Sequence, residues 1–206
     1  MKVLLINGSP HEHGCTYTAL HEAEMKLNQR GIETELLYLG TAPMAGCTGC
    51  GSCEKTGRCV FDDEVNRVLD KLDGYDGMIV GSPVYYGSAN GHLCAFLDRL
   101  FYAGGNRMAG KFAASVVSCR RGGATAAFQR LNMYFGMKNM PVVSSQYWNQ
   151  VHGYKAEDVL KDEEGLQTVR TMAENMAWLI QSAAAGREAG VPAPVYEPVV
   201  VTNFIR

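Results

Sequence analysis

The chain has 206 residues, 47% of them hydrophobic and 19% charged, which is the composition of an ordinary globular protein with room for one well-buried core. A formal net charge of -2 leaves no electrostatic footprint for nucleic acid or an anionic membrane surface. No apolar run approaches the roughly 18 residues of a membrane span, and the start, MKVLLINGSP, is too short in apolar residues for a signal h-region. The expected compartment is therefore the reducing cytoplasm. Seven cysteines there, an odd number, read as metal or redox chemistry rather than a disulfide framework.

The segments alternate in type along the chain. KVLLIN (2–7) is a short continuous apolar run, the mark of a strand buried on both faces. Residues 15–30 read as a helix, with Leu20, Ala23, Met25 and Leu27 among its apolar positions and Gly31 closing it. IETELLYL (32–39) is a second strand. After a cysteine-rich loop at 43–61, Asp62 or Asp63 can cap a helix reaching Leu72. GMIVGSP (77–83) is a third strand, 88–103 a third helix, KFAASVVS (111–118) a fourth strand and 124–137 a fourth helix. MPVVSSQ (140–146) reads as a fifth strand and 163–185 as the last helix. This alternation implies an α/β domain with parallel strands, right-handed crossovers and helices on both faces of the sheet. Five strands suggest a flavodoxin-like three-layer sandwich of order 2-1-3-4-5. The expected division is one domain over 1–187 and a Pro-rich tail over 188–206. The tail's apolar end is expected to dock on the domain or on a partner subunit.

In such sheets ligands bind beyond the carboxyl ends of the strands, and three loops qualify. NGSPHEHGCTYT (7–18) offers the hydroxyls of Ser9, Thr16 and Thr18, with Gly14 and Cys15 at a helix start. Backbone N–H groups and hydroxyls there can hold a phosphate without an obligatory Lys. The loop matches neither the P-loop nor GxGxxG, so a single phosphate monoester fits better than a triphosphate or pyrophosphate. An ordinary capped turn is the alternative. GSPVYYGSAN (81–90) supplies Pro83, Val84, Tyr85, Tyr86 and Gly87, which let backbone and aromatic surface approach a flat ring; the tyrosines can equally cover an interface. SCRRGGAT (118–125) supplies Ser118, Arg120, Gly122 and Gly123, either a close wall beside the ring or a solvated basic turn. A phosphate cradle with two loops flanking a planar ring points to FMN.

These loops, in this order over roughly residues 1–145, resemble the NAD(P)H-dependent FMN reductase and iron–sulfur flavoprotein branch of the flavodoxin-like fold. The resemblance implies that Ser9, Thr16 and Thr18 hold the FMN phosphate, and that Pro83 to Gly87 and 118–123 border the isoalloxazine ring. It makes NAD(P)H the expected co-substrate and a homodimer or homotetramer the expected assembly. His11 stands where the family commonly has Arg, and Cys94 where it commonly has Lys.

CTGCGSCEKTGRC (47–59) spaces four cysteines as C-x2-C-x2-C-x5-C. The first three can curl around one small object, with Gly49 and Gly51 relieving the backbone. Four outcomes stay open on spacing: a 4Fe-4S cluster, zinc, a redox dithiol, or inert thiols. Zinc more often takes two short Cys pairs separated by a longer insert. The iron–sulfur flavoprotein resemblance maps cluster ligands onto Cys47, Cys50, Cys53 and Cys59, on a loop leaving the second strand at the flavin end. The combined reading is an FMN oxidoreductase without an acid–base side chain, passing electrons from NAD(P)H or a protein donor to a quinone, a flavin or an electron carrier. Its rivals are a non-enzymatic flavodoxin-type carrier and a zinc-stabilised domain without flavin.

Overall fold

The computed structural model describes residues 1–202 and Phe204. Asn203, Ile205 and Arg206, at the end of the expected docking tail, lie outside the described residues.

Five strands build a parallel sheet: β1 (Lys2–Asn7), β2 (Glu33–Tyr38), β3 (Gly77–Tyr85), β5 (Phe112–Cys119) and β6 (Gln150–His152), in the order β2-β1-β3-β5-β6. A two-residue strand, β4 (Ser88–Ala89), folds back antiparallel on the end of β3. The alternating pleat of β1 splits the core into two layers. Leu4 and Ile6 face α3 (Glu64–Lys71), α4 (Gly91–Gly104) and α5 (Ala124–Met137). Val3 and Leu5 face α1 (Cys15–Gln29) and α7 (Glu163–Glu188). This is the doubly wound, flavodoxin-like α/β architecture that the alternation of segments implies. Two short helices complete the chain, α2 (Ser52–Thr56) inside the cysteine loop and α6 (Ala156–Val159) before α7. No helix among the described residues is long and apolar enough to cross a membrane.

The fifth parallel strand differs from the expected 140–146. Ala113 N–H donates to Pro141 O and Val143 N–H to Ala113 O, a single bridge at Val142. The chain then leaves the sheet, because the Ser145 hydroxyl bonds Tyr147 O and Asn149 Oδ1 and takes Tyr147 N–H, satisfying this stretch locally. Pairing resumes when Val117 N–H reaches Asn149 O, and β6 follows. The strand position is thus filled in two pieces with an excursion between them, and the loop after β6 becomes the one that reaches the ligand end of the sheet.

Helix ends follow local chemistry. Asp63 caps α3 by accepting Val65 N–H, Asn90 caps α4 by accepting His92 N–H, and Asp162 caps α7 by accepting Gly165 N–H. Gly14 stands at the N-cap of α1 with no side-chain cap, and the first turn carries no acidic residue. That helix start is left open to an external anion.

Candidate functional site

The strand register assembles the site. Asn7 lies beside Gly81 and Pro83 beside Ser118, so β1, β3 and β5 end at one rim. The loop after β1 is folded by its own polar groups. The buried Asn7 side chain accepts Ser9 N–H (3.1 Å) and donates to Glu12 O (3.0 Å), while Ser9 Oγ accepts His11 N–H (3.1 Å). Tyr38 at the end of β2 donates its hydroxyl to Pro10 O (2.9 Å). Gly81 is forced by packing, since a Cβ there would meet Leu20 and Thr16 side-chain atoms at 2.7 and 2.8 Å.

A cavity of about 780 Å³ opens at this rim, a size suited to one cofactor-sized ligand. Ser9, His11, Gly14, Cys15 and Thr16 line one side, and Pro83, Val84 and Tyr85 a second. Ser118, Cys119 and Arg120 form a third wall, and Gly153, Tyr154 and Lys155 a fourth. Thr16 and Ser118 hydroxyls share a buried hydrogen bond of 2.8 Å, which ties α1 to β5 across the cavity floor. Burial pushes the Cys15 and Cys119 thiols above their ordinary pKa, so both are held as neutral thiols at pH 7. Cys15 Sγ lies 3.6 Å from Gly153 O, a weak S–H donor contact to the fourth wall.

Five of the residues expected here stand outside the cavity lining. Thr18 Oγ1 donates to Gly14 O within α1 (3.2 Å). Tyr86 adopts a positive φ of 51° and is wholly exposed. Gly123 packs against Gly87 behind Val84, where a Cβ on Gly123 would meet Gly87 Cα and Val84 Cγ1 at 2.9 Å and its φ of +89° is one that side chains disfavour, whereas Gly122 has open space around it. The wall at Gly153–Lys155 has no counterpart among the three loops read from sequence. Gly-Tyr after a short strand was the available signal, hidden by the excursion that precedes β6.

All four cysteines of the loop line a second cavity, of about 260 Å³, together with Phe61, Arg99 and Tyr102. Gly49 (φ +66°) and Gly51 (φ +70°) turn the backbone between them. Burial, and after it the neighbouring cysteines, pushes the Cys53 thiol up. Among the described residues no group of three or more His, Cys, Asp or Glu side chains is placed to hold a single metal ion. The loop leaves β2 at the rim, but its cavity lies on the flank of α4, against Arg99, Tyr102 and Ala103. Those residues are roughly 12–18 Å along the helix from its start near the rim. No residue lines both cavities, so the cysteine site is set apart from the flavin-end cavity within one chain.

The pattern of the NADPH-dependent FMN reductase family matches residues 1–155, which include β1 to β6 and every wall of the larger cavity. The chain belongs to this family. It is a flavoprotein oxidoreductase, and FMN is the cofactor of the family fold. An iron-sulfur flavoprotein of Methanocaldococcus jannaschii is 31% identical over 191 residues, covering 88% of this chain and 98% of the relative. One from Methanosarcina thermophila is 28% identical over 193 residues, covering 91% and 100%. Solved structures with the same fold include a flavone reductase (TM-score 0.71, 18% identity, 89% of this chain and 64% of the other). A flavodoxin from the Archaea also superposes (TM-score 0.60, 14% identity, 88% and 99%).

Proposed function

We propose that this FMN reductase family member takes electrons from NAD(P)H or a protein donor and passes them to a quinone, a flavin or an electron carrier, with a 4Fe-4S cluster in the 47–59 loop. The observation that carries the flavin part is the 780 Å³ cavity at the strand ends, entered by the uncapped N-terminus of α1.

The donor set suits FMN. Thr16 and Ser9 place hydroxyls beside the N–H groups of Cys15 and Thr16 at the positive end of α1, which suits one dianionic phosphate. Pro83, Val84 and Tyr85 give an apolar and aromatic wall for a flat ring, and Arg120 brings a cation to the wall opposite. Bound FMN supplies hydride and single-electron chemistry. The chain's own residues bind the phosphate, orient the ring and exclude water from its inner edge. No side chain is required as an acid or base.

The cysteine cavity suits a cluster. Four soft thiols line one small concavity. A zinc ion requires its four ligands about a single point, at roughly 2.3 Å from it. A cubane presents a different iron to each thiolate, and four cysteines lining one small concavity match that requirement. Such a cluster exchanges single electrons. The two relatives named iron-sulfur flavoprotein support the same reading.

Steady-state oxidation of NADH and NADPH, followed with quinone, ferric or free-flavin acceptors, tests the function. Turnover with at least one pair is expected; FMN-loaded protein that oxidises neither nucleotide with any acceptor overturns the pyridine-nucleotide reductase reading.

A further inference from the structure

Arg99 is the one charged residue among the fully buried side chains of the described residues, at 2% exposure. It projects from α4 into the cysteine loop, and each of its five N–H groups has a partner. Nε donates to Cys59 Sγ at 3.1 Å. Nη1 donates to Asp63 Oδ2 (2.7 Å) and Ala45 O (3.3 Å), and Nη2 to Asp63 Oδ1 (2.8 Å) and Phe61 O (3.3 Å). The Phe61 ring covers the guanidinium, 4.9 Å from Cζ to the ring centre.

Packing alone does not account for this residue. The neighbouring Phe96, Leu97 and Leu100 are buried apolar side chains, and a Leu or Met at 99 would avoid the desolvation cost of a guanidinium. The arrangement is also selective. Among the described residues, no side-chain N–H donates to Cys47, Cys50 or Cys53; only Cys59 receives one. The backbone of Cys59 is fixed as well, because its N–H donates to Asn66 Oδ1 (2.9 Å) and its carbonyl accepts Asn66 Nδ2 (3.0 Å). The fourth cysteine of the motif, beyond the longest gap, is therefore the anchored one.

We infer that Arg99 is a positioning residue for Cys59: its Nε–H directs the sulfur into the cavity, and that hydrogen bond raises the reduction potential of a cluster held there. The second half of this inference rests on the cluster reading above. Hydrogen bonds to the sulfurs are among the factors that set cluster potentials, because a donor N–H stabilises the added negative charge of the reduced state. Asp63 aims the guanidinium and, as the cap of α3, ties that helix to the same point.

The test compares wild type, Arg99→Lys, and the double variant Arg99→Met with Asp63→Asn, which removes the donor without leaving an uncompensated buried carboxylate. Each is loaded anaerobically with iron and sulfide, and the cluster and flavin midpoint potentials are read by spectroscopic titration. The double variant is expected to load and to lose about tenfold in the cluster's reduction equilibrium, about 59 mV for a one-electron couple. The flavin potential should stay in place and Arg99→Lys should recover part of the shift. A loaded double variant with the wild-type cluster potential overturns the tuning role. Should it fail to fold, Arg99→Lys carries the comparison, with a lowered potential expected and an unchanged one overturning the claim. A wild-type chain that takes up no iron and sulfide defeats the cluster reading and the tuning with it. Hydrogen exchange on the cluster-free proteins then judges the anchoring alone. Faster exchange over 45–63 in the variants, with the sheet still protected, supports it; unchanged exchange overturns it.

Discussion

Thr16 and Thr18 sit one helical half-turn apart and are assigned the same phosphate by resemblance, yet the structure gives them different work. Thr16 lines the cavity and bonds Ser118, whereas Thr18 returns its hydroxyl to Gly14 within α1. Thr16→Val should weaken FMN binding roughly 10- to 100-fold, the worth of a hydrogen bond to a charged group at about 1.5–3 kcal/mol. Thr18→Val should change it less than about 3-fold. Quenching of flavin fluorescence during titration measures both, and equal losses would put Thr18 back at the phosphate. The NGSP loop was legible in sequence because small and hydroxyl residues before a helix have few other uses. Arg99 was not: FLDRL reads as an amphipathic helix with a solvated Arg. Only the fold brings Asp63 and Cys59, 36 and 40 positions away, to its guanidinium.

The elements divide in how readable they were. β1, β3 and β5 are buried on both faces, and their continuous apolar runs identify them directly. The fifth parallel position was misplaced because MPVV has the composition of a strand, while the hydrogen bonds of Ser145 that pull the chain off the sheet have no apolar signature. The error hid Gly153, Tyr154 and Lys155 from the site. At the β2 edge, Lys71 above all, with Lys2 assisting, holds the Glu35 carboxyl down at about 2 against burial that works to raise it, from an ordinary 4.5. A carboxylate lowered in the folded state stabilises it fully above pH 4.5, and that contribution is lost as pH falls toward 2. Glu35→Gln should therefore lower stability at pH 7 by about 1 kcal/mol, a partly exposed pair being screened by solvent. The difference should shrink as pH falls toward 2 and vanish below it, and thermal melts across that range check it. The cysteine loop is a separate element: replacing Cys47, Cys50, Cys53 and Cys59 together by Ala should abolish iron uptake yet leave FMN affinity within about 3-fold. Joint loss of both cofactors would show the two cavities to be coupled.

In the whole molecule, a rigid two-faced sheet carries one cavity at its carboxyl rim and a second on the flank of α4. The tail leaves α7 without further helix or strand in its described part and exposes Val195, Val199, Val200, Val201 and Phe204. An apolar run of this kind is a candidate contact with a second subunit, and we propose a fold boundary near 187, where α7 ends. Truncation after Gly190 should leave the melting temperature within about 3 °C, under about 1 kcal/mol for a chain of this size. It should also shift the protein toward monomer in sedimentation; an unchanged assembly would remove the tail from the interface. The central claim is that one chain holds FMN at its rim and an iron–sulfur cluster on its flank. An ultraviolet–visible spectrum of protein purified without oxygen, with FMN, iron and sulfide quantified on the same sample, tests it most directly. The account predicts flavin bands, a broad shoulder that bleaches on reduction, and about four iron and four sulfide per chain. Flavin bands without iron would contradict the cluster, and a colourless protein that fails to bind added FMN would contradict the account as a whole.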